Sequence, residues 1–397
     1  SNPTAPTLLG SYDTPGWAYG VTVVGTKAYV ADSYYGLQII DITDPSMPTL
    51  LGSYDTPNNA RGVTVKGTTA YVADSILGLV IIDISNPTAP TLLGSYDTPG
   101  WAYGVTVVGT TAYVADGYYG LQIIDISNPT APRLLGSYDT TVDARDVTVV
   151  GTTAYMANIS GLEIIDISNP TTPALLGYYD TPGNAYGATV VGTTAYVATF
   201  NFGLEIIDIS NPTTPALLSY YDTPDRAWSV TVVGTTAYVA DANSGLQIID
   251  ISDPTTPALL GSYDTPSGAQ SVTVVGTTAY MASGGGLRII DISNPTTPAL
   301  LGHHGTPIIA YGVAVVGTTA YVASHTSGLQ IVDISDCPPS PPCPADLNND
   351  NTLDFFDISF FLTAFGNQDP IADFTQDGTF DFFDISTFLT AFTTGCP

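Results

Sequence analysis

The stretch GLQIIDISNP at residues 120–129 decides the fold, because close variants of it return at a fixed interval along the chain. Its core, IIDI or IVDI, occurs eight times, and successive copies lie 41 or 42 residues apart. A period of this length is typical of architectures in which each repeat is one supersecondary unit. The aspartates that mark the eight copies are Asp41, Asp83, Asp125, Asp166, Asp208, Asp250, Asp291 and Asp333.

Each copy contains four short apolar stretches that are separated by turn signals. In the third copy these are YGVTVVG at 103–109, TAYVAD at 111–116, GLQIIDI at 120–126 and RLLGSYD at 133–139. Val, Ile, Thr and Tyr dominate them, and Gly, Asn-Pro or Asp-Thr-Pro stands between them, which indicates strands joined by tight turns. Four strands per unit predict one blade of a β-propeller. A parallel β-helix is the alternative, but its coils are usually shorter.

The number of strands bears on how the predicted ring closes. The chain contains eight sets of the first three strands, and the eighth set ends near Ser335 with no fourth strand after it. A spare fourth strand, around Leu8 to Thr14, precedes every set. The spare strand is therefore expected to complete the last blade, which leaves no open sheet edge. The same strand count also allows this strand to enter the last blade of a neighbouring molecule, which would form strand-exchanged polymers.

The charge of the chain excludes some classes of partner. Seven Lys and Arg stand against 36 Asp and Glu, for a net charge of −29. Such a surface repels phosphate backbones and anionic membranes, so we expect no nucleic-acid partner. No apolar run approaches the roughly 18 to 20 residues that cross a bilayer, so we expect no membrane insertion.

The turns of the predicted propeller are uniform on one face and variable on the other. The uniform face carries VGTTA between the first and second strands and DISNPTTP or DISNPTAP between the third and fourth. We interpret the aspartate of the latter turn as an acceptor for local backbone donors. The variable face carries aromatic residues, which are typical of interfaces and sugar platforms because they combine apolar area with polar tips. The candidate partner-binding residues there are Trp17, Tyr34, Tyr35, Trp101, Tyr118 and Tyr119.

The residue that enters the first strand of each blade also varies. Because these residues occupy equivalent positions, we expect them to form a ring near one mouth of the central channel. They are Tyr19, Arg61, Tyr103, Arg145, Tyr186, Trp228, Gln270 and Tyr311.

The composition changes beyond a Pro-rich stretch at 337–344. Residues 346–397 hold nine Asp and no Lys or Arg, in two copies of a twelve-residue pattern that begin at Asp346 and Asp373. Each copy places side-chain oxygens at positions 1, 3, 5, 9 and 12 with a backbone carbonyl at 7, which is the ligand order of an EF-hand loop. Two Ca2+ sites are predicted; an acidic disordered tail is the alternative. The expected ligands are Asp346, Asn348, Asp350, Thr352, Asp354, Asp357, Asp373, Thr375, Asp377, Thr379, Asp381 and Asp384.

Two resemblances extend these expectations. With the motifs GLQIIDISNP, AYVAD and GVTVVG, the chain resembles the LVIVD-type repeat family of bacterial and archaeal surface propellers over roughly residues 1–336. The two acidic loops, followed by ISFFLTAF and ISTFLTAF, resemble the duplicated loop-helix units of dockerin modules over 345–397. The second resemblance implies that calcium orders a surface that docks the chain into an assembly. It places partner recognition at loop positions 10 and 11, which here are Phe355, Phe356, Phe382 and Phe383.

The three cysteines all lie near the C-terminus, which suggests a local disulfide in an oxidising compartment. Cys343 and Cys396 bracket the acidic module and are the expected pair, which leaves Cys337 unpaired or available to another chain.

The sequence therefore predicts an all-β eight-bladed β-propeller over 1–336, a linker over 337–344, and a small α-helical, EF-hand-like domain of the dockerin type over 345–397. We expect a secreted, non-catalytic structural or adhesion protein of the bacterial cell surface. Its C-terminal module is expected to dock in a calcium-dependent way onto another protein or onto the next copy, which would build an extracellular filament.

Two other functions stay open. The first is a carbohydrate- or protein-binding propeller that its C-terminal module delivers to a larger complex. The second is a hydrolase or lyase, which would require a cluster of perturbed carboxylates in the channel. The sequence shows no nucleophile elbow, phosphate loop or Cys/His pairing. The histidines His303, His304 and His325 are expected at the surface or in strand packing, because no spacing indicates a metal site.

Overall fold

The computed structural model describes residues 6–140, 142–334, 358, 361–362, 365, 372, 374 and 384–389. The strands β1 to β32 form eight four-stranded antiparallel sheets, and the first strands of neighbouring sheets lie beside one another. The predicted eight-bladed β-propeller is therefore confirmed. No helix among these residues is long and apolar enough to span a membrane.

Each sheet is one blade, and the blades are numbered in chain order. Blade 1 contains β2 (Ala18–Val24), β3 (Lys27–Asp32), β4 (Leu37–Asp41) and β5 (Thr49–Tyr54), and blade 2 contains β6 (Gly62–Lys66), β7 (Thr69–Ala73), β8 (Leu79–Asp83) and β9 (Thr91–Tyr96). Blade 3 contains β10 (Gly104–Val108), β11 (Thr111–Ala115), β12 (Leu121–Asp125) and β13 (Arg133–Tyr138), and blade 4 contains β14 (Ala144–Val150), β15 (Thr153–Asn158), β16 (Gly161–Asp166) and β17 (Ala174–Asp180). Blade 5 contains β18 (Ala185–Val191), β19 (Thr194–Thr199), β20 (Gly203–Asp208) and β21 (Ala216–Tyr221), and blade 6 contains β22 (Ala227–Val233), β23 (Thr236–Asp241), β24 (Leu246–Asp250) and β25 (Ala258–Tyr263). Blade 7 contains β26 (Ala269–Val275), β27 (Thr278–Ser283), β28 (Gly286–Asp291) and β29 (Ala299–His304), and blade 8 contains β30 (Gly312–Val316), β31 (Thr319–Ala323), β32 (Leu329–Asp333) and β1 (Thr7–Tyr12).

The hydrophobic core lies between neighbouring blades. The second and third strands of each blade are almost continuously buried, because both faces of each sheet pack against another sheet. One buried cluster joins Leu37 and Ile39 of blade 1 to Val72 and Ile82 of blade 2, and the other clusters repeat this arrangement around the ring. Each joint between two blades is thus a small core of its own.

The N-terminal strand β1 is the fourth strand of blade 8. It pairs antiparallel with β32, from Thr7 opposite Asp333 to Tyr12 opposite Leu329. The ring is thus closed within one chain in the structure, and blade 8 has the same number of strands as the others.

Hydroxyl groups on the first strands connect the blades. Thr22 donates to the carbonyl of Val63 in the next blade at 2.8 Å, and Thr64 donates to that of Val105 at 3.0 Å. The corresponding threonines of blades 3 to 7 do the same. Blade 8 has Ala314 at this position, so its joint with blade 1 lacks the bond.

Local hydrogen bonds stabilise the uniform turn between the third and fourth strands of each blade. Asp41 Oδ1 accepts hydrogen bonds from the backbone N–H and the hydroxyl of Thr43, at 2.9 and 2.6 Å. The aspartates Asp83, Asp125, Asp166, Asp208, Asp250 and Asp291 accept the equivalent backbone bond. The interpretation of this aspartate as a turn residue is confirmed.

The C-terminal residues belong to a second compact unit of the chain. Residues 384–389 form a helix. Phe361 and Phe388 are buried and stack with ring centroids 4.1 Å apart, while Phe374 meets both rings edge-on. An aromatic core therefore exists in this unit.

Most of the predicted calcium site falls outside the described residues. Of the twelve proposed ligands only Asp384 is described; it is buried and is the first residue of the helix at 384–389. The predicted residues that lie outside the described part of the chain are Asp346, Asn348, Asp350, Thr352, Asp354, Asp357, Asp373, Thr375, Asp377, Thr379, Asp381, Phe355, Phe356, Phe382, Phe383, Cys343 and Cys396.

Candidate binding face

The variable loops lie on one face of the propeller, which we call the loop face. It is formed by the connections that enter the first strand of each blade and by those between the second and third strands. The six aromatic residues predicted to bind a partner are all exposed, with between 44% and 67% of their surface accessible. They are Trp17, Tyr34, Tyr35, Trp101, Tyr118 and Tyr119.

Buried aspartates hold the two tryptophan loops in place. Asp32 accepts the hydroxyl of Thr14 at 2.6 Å and the N–H of Gly16 at 2.9 Å. Asp116 accepts the hydroxyl of Thr98 and the N–H of Gly100 in the same way. Burial raises the pKa of each carboxyl to about 6. The backbone on the N-terminal side of each tryptophan is thus fixed.

Acids with raised pKa values occur in blades 1 to 6, and blade 4 contains two of them, Asp146 and Glu163. Burial raises the pKa of Asp74 in blade 2 to about 6, and burial together with the charge of Asp180 raises that of Glu205 in blade 5 to about 7. Asp74 holds the hydroxyl of Thr56 and the N–H of Asn58, as its equivalents do. This arrangement resembles a repeated structural device and not an acid-base pair.

A cavity opens beside Trp101, and we call it the Trp101 slot. Its volume is about 300 Å³. The Tyr119 ring packs against Gly100, where an added Cβ would lie 2.9 Å from the ring carbon Cδ2. The slot is lined by Ile76, Pro99, Gly100, Trp101, Gly117, Tyr118, Tyr119 and Asp143.

Asp143 and Arg145 connect the slot to the predicted ring of residues. Asp143 is buried, and its Oδ2 lies 2.6 Å from Nη2 of Arg145. The Arg145 guanidinium lies 4.7 Å from the ring centroid of Tyr103 and 6.0 Å from that of Tyr186. Asp143 in the slot lining is therefore connected through Arg145 to Tyr103 and Tyr186.

The residues at the start of the first strands contact one another around the loop face. The Tyr19 and Tyr311 rings are 5.4 Å apart, and the Arg61 guanidinium lies 4.8 Å from the Tyr19 ring. Tyr186 and Trp228 follow at 4.7 Å. Cation–π and ring contacts thus join members of the predicted ring from different blades.

His325 contacts a predicted binding residue, which the sequence did not indicate. Its imidazole stacks on Trp17, with centroids 4.6 Å apart and planes 21° from parallel. The backbone N–H of Ala18 donates to the His325 carbonyl, just as that of Ala102 donates to Ser75. His325 and Ser75 therefore occupy equivalent places beside Trp17 and Trp101.

Two slot residues, Ile76 and Asp143, were also absent from the predicted site. Each lies in a blade next to that of Trp101, so only the pairing between blades brings them to the slot. Within the described part of the chain, no group of three or more His, Cys, Asp or Glu side chains is placed to hold a metal ion.

Comparisons with known proteins agree with the repeat structure. The family model described as LVIVD repeat matches residues 1–14, 15–56, 57–98, 99–140, 142–181, 182–223, 225–265, 267–306 and 309–343. No curated protein matches the chain.

Several solved structures share the fold. The computationally designed protein Ika8 has a TM-score of 0.70 at 10% identity, over 82% of this chain and 98% of Ika8. BamB from Moraxella catarrhalis has a TM-score of 0.65 at 14% identity, over 83% and 97%. Sqt1 from Saccharomyces cerevisiae has a TM-score of 0.71 at 10% identity, over 83% and 99%. At these identities the likeness shows the fold alone.

Proposed function

Because this chain belongs to the LVIVD repeat family, we propose that it is a secreted, non-catalytic structural or adhesion protein of the bacterial cell surface. The observation that carries the proposal is the set of exposed aromatic side chains on the loop face, in loops that buried hydrogen bonds hold in place. Exposed aromatic rings on a rigid backbone bind partners at a low cost in conformational entropy.

A binding role suits the chemistry of this face better than catalysis does. The perturbed carboxyls Asp32, Asp74 and Asp116 each accept hydrogen bonds from a hydroxyl and a backbone N–H of the loop that enters their own blade. A general acid or base instead needs a proton-transfer path to a substrate. Asp143, which lines the cavity beside Trp101, forms an ion pair with Arg145.

The acidic C-terminal module supplies the second part of the proposal, which is calcium-dependent docking. Two calcium ions would neutralise carboxylates that otherwise repel one another, and they would order the loops that precede the helices. The buried Asp384 at the start of the helix and the core of Phe361, Phe374 and Phe388 support a folded module at this end of the chain. The module docks onto another protein or onto the next copy of the chain, which would give an extracellular filament.

Electron microscopy of the purified chain, with calcium and with excess chelator, tests this proposal. We expect filaments that dissolve on chelation and do not form in the Asp346→Ala, Asp373→Ala double variant. Asp369→Ala is the matched control, because it removes an aspartate of the same segment that lies outside both twelve-residue patterns. Single particles under both conditions would refute self-assembly.

Calorimetry separates metal binding from docking. Two calcium ions per chain are expected in the wild type and in Asp369→Ala, and none at the altered loops of the double variant. A chain that binds no calcium would refute the calcium-dependent half of the proposal.

The Trp101 slot favours one further candidate function, which is a binding propeller that its C-terminal module delivers to a larger complex. A cavity lined by aromatic side chains with a few polar groups is typical of a ligand site. Saturable quenching of tryptophan fluorescence by a soluble oligosaccharide, lost in Trp101→Phe, would support a carbohydrate ligand.

A further inference from the structure

The Trp101 slot and its counterpart in blade 1 differ in whether the tryptophan face is covered. Trp17 carries the His325 imidazole stacked on it at 4.6 Å. The equivalent residue beside Trp101 is Ser75, whose side chain is too short to stack, and the neighbouring Ile76 lines the open slot instead. The chain thus shows the same tryptophan loop once with an internal occupant and once without one.

The walls of the slot suit a side chain with an apolar stem and a charged end. Ile76 and Pro99 supply aliphatic surface, and Trp101 supplies a large aromatic face. Among the polar lining groups, Oδ2 of Asp143 is paired with Arg145, while its Oδ1 lies near Gly117, which also lines the slot. Lysine and arginine bury an apolar stem along such surfaces and keep the charged group at the polar end.

The electrostatic surroundings favour a cation. The net charge is −29, and residues 97–119, which supply most of the lining, include Asp97 and Asp116 but no Lys or Arg. The guanidinium of Arg145 beside the slot is already paired with Asp143. A field of this sign raises the local concentration of cations and repels anions. The negative face of an indole ring adds a local attraction for an ammonium or guanidinium group.

The loop face already uses this chemistry within the chain. Arg61 lies over Tyr19, Arg145 over Tyr103 and Arg226 over Phe200, each within 4.8 Å of the ring centroid. Cations on aromatic rings are therefore the recurring contact of this face, and Trp101 is an exposed ring on it that carries no such partner in the described structure.

We propose that the Trp101 slot binds the cationic side chain, lysine or arginine, of a basic segment of a partner polypeptide. The stem lies along Ile76 and Pro99, and the charged head stacks on Trp101 beside Asp143. The inference rests on the proposed function, because it names the chemistry of the partner that the loop face binds.

Small probes test the slot without the natural partner. N-acetyl-arginine methylamide and N-acetyl-lysine methylamide are titrated into the full chain with its tryptophan fluorescence as readout, and N-acetyl-citrulline methylamide is the neutral match for arginine. We expect saturable binding of the two cationic probes in the millimolar range. Citrulline is expected to bind roughly fivefold more weakly, because it lacks the charge. Raising the salt concentration should weaken the cationic probes selectively.

Two reciprocal substitutions assign the signal to the slot. Ser75→His places an imidazole beside Trp101, as His325 lies beside Trp17, and should reduce probe affinity by roughly fivefold or more. The backbone permits the exchange, since Ser75 and His325 have similar positive φ angles of 46° and 35°. His325→Ser should instead uncover Trp17 and add a second weak site. Circular dichroism and thermal unfolding verify that both variants keep the fold.

Equal affinity for arginine and citrulline probes would overturn the proposal, and so would binding that Ser75→His leaves unchanged. Saturable binding of a neutral oligosaccharide with no response to the cationic probes would assign the slot to carbohydrate. The outcome is separate from that of the filament experiment, because the probes report on a single chain. Probe binding by a chain that never assembles or docks would refute the proposed function and leave the slot assignment intact.

Discussion

Blades 1 and 3 contain almost the same residues at the loop face but present them differently. Residues 15–41 and 99–125 differ only at Lys27, which is Thr111 in blade 3, and at Ser33, which is Gly117. Trp17 is nevertheless stacked on His325, whereas Trp101 is 55% exposed beside an open slot. The difference originates in the preceding blade, which supplies His325 in one case and Ser75 in the other.

The comparison teaches that the joint between two blades, and not the blade itself, is the unit that determines a surface site here. The backbone of each loop is held by an aspartate of the blade that it enters, Asp32 or Asp116. The loop takes its neighbours from the repeats before and after it, as Ile76 and Asp143 show for Trp101. Substitutions can therefore test what the two loops share and what distinguishes them.

The largest expected effect concerns a glycine that both loops share. Gly120 has φ of +66°, and an added Cβ would lie 2.3 Å from the carbonyl oxygen of Tyr138. We expect Gly120→Ala to lower the free energy of unfolding by about 2–4 kcal/mol, because backbone atoms cannot move away as a flexible side chain would. Gly36→Ala should match it, since its Cβ would meet Tyr54 O at 2.3 Å. Denaturant titration measures both.

Gly109→Ala is the control for this prediction. Gly109 has a similar φ of +60°, but nothing lies within 4 Å of an added Cβ. Only the backbone cost of about 1 kcal/mol should remain. Equal losses at Gly109 and Gly120 would show that the close approach to Tyr138 contributes nothing.

The repeat period, the strand pattern and the turn residues made the blades predictable, because these signals are local to each unit. The exposed aromatics were also predictable, since loops on one face vary where the other face does not. The contact of Trp17 with His325 was not, because it joins the first and last blades through a ring closure that local patterns do not describe. Ile76 and Asp143 were missed for the same reason, because residues that meet across a joint belong to different repeats and are far apart in the sequence.

The second effect is a pH dependence that both loops should share. The pKa of Asp32 and of Asp116 is raised from 3.8 to about 6, so the folded state binds more protons than the unfolded state between these values. Stability should therefore fall as the pH rises through this window, by about 3 kcal/mol for each aspartate at about 1.4 kcal/mol per unit of pKa shift. Unfolding measured from about pH 4 to pH 7 tests the sign.

Asp116→Asn and Asp32→Asn should each flatten this dependence by the same amount. Blade 4 has Asn158 at the equivalent position, where it is buried and hydrogen-bonded, so the site tolerates an amide. An unchanged slope in either variant would mean that the pH dependence has its origin elsewhere in this acidic chain.

The third effect separates the two loops. Trp17→Ala removes the stack on His325 and should cost about 1 kcal/mol more stability than Trp101→Ala, which removes a ring with an open face. Binding of the cationic probes should show the opposite order, with loss only in Trp101→Ala. Thermal unfolding and probe titration on the same two variants decide it. Equal destabilisation would indicate that His325 contributes nothing to the blade 1 loop.

The smallest effect lies at the joints themselves. Thr64 donates to Val105 between blades 2 and 3 at 3.0 Å, whereas Ala314 leaves the joint between blades 8 and 1 without this bond. Ala314→Thr should add about 0.5–1 kcal/mol, the net value of one hydrogen bond, and Thr64→Ala should lose as much. Denaturant titration of the two variants measures both changes in the free energy of unfolding.

If Ala314→Thr has no effect while Thr64→Ala does, the joint between blades 8 and 1 must be spaced differently from the others. A gain at Ala314 would instead show that this joint has ordinary geometry and lacks only the hydroxyl. The joint between blades 8 and 1 would then differ from the joint between blades 2 and 3 by the loss of this one hydrogen bond.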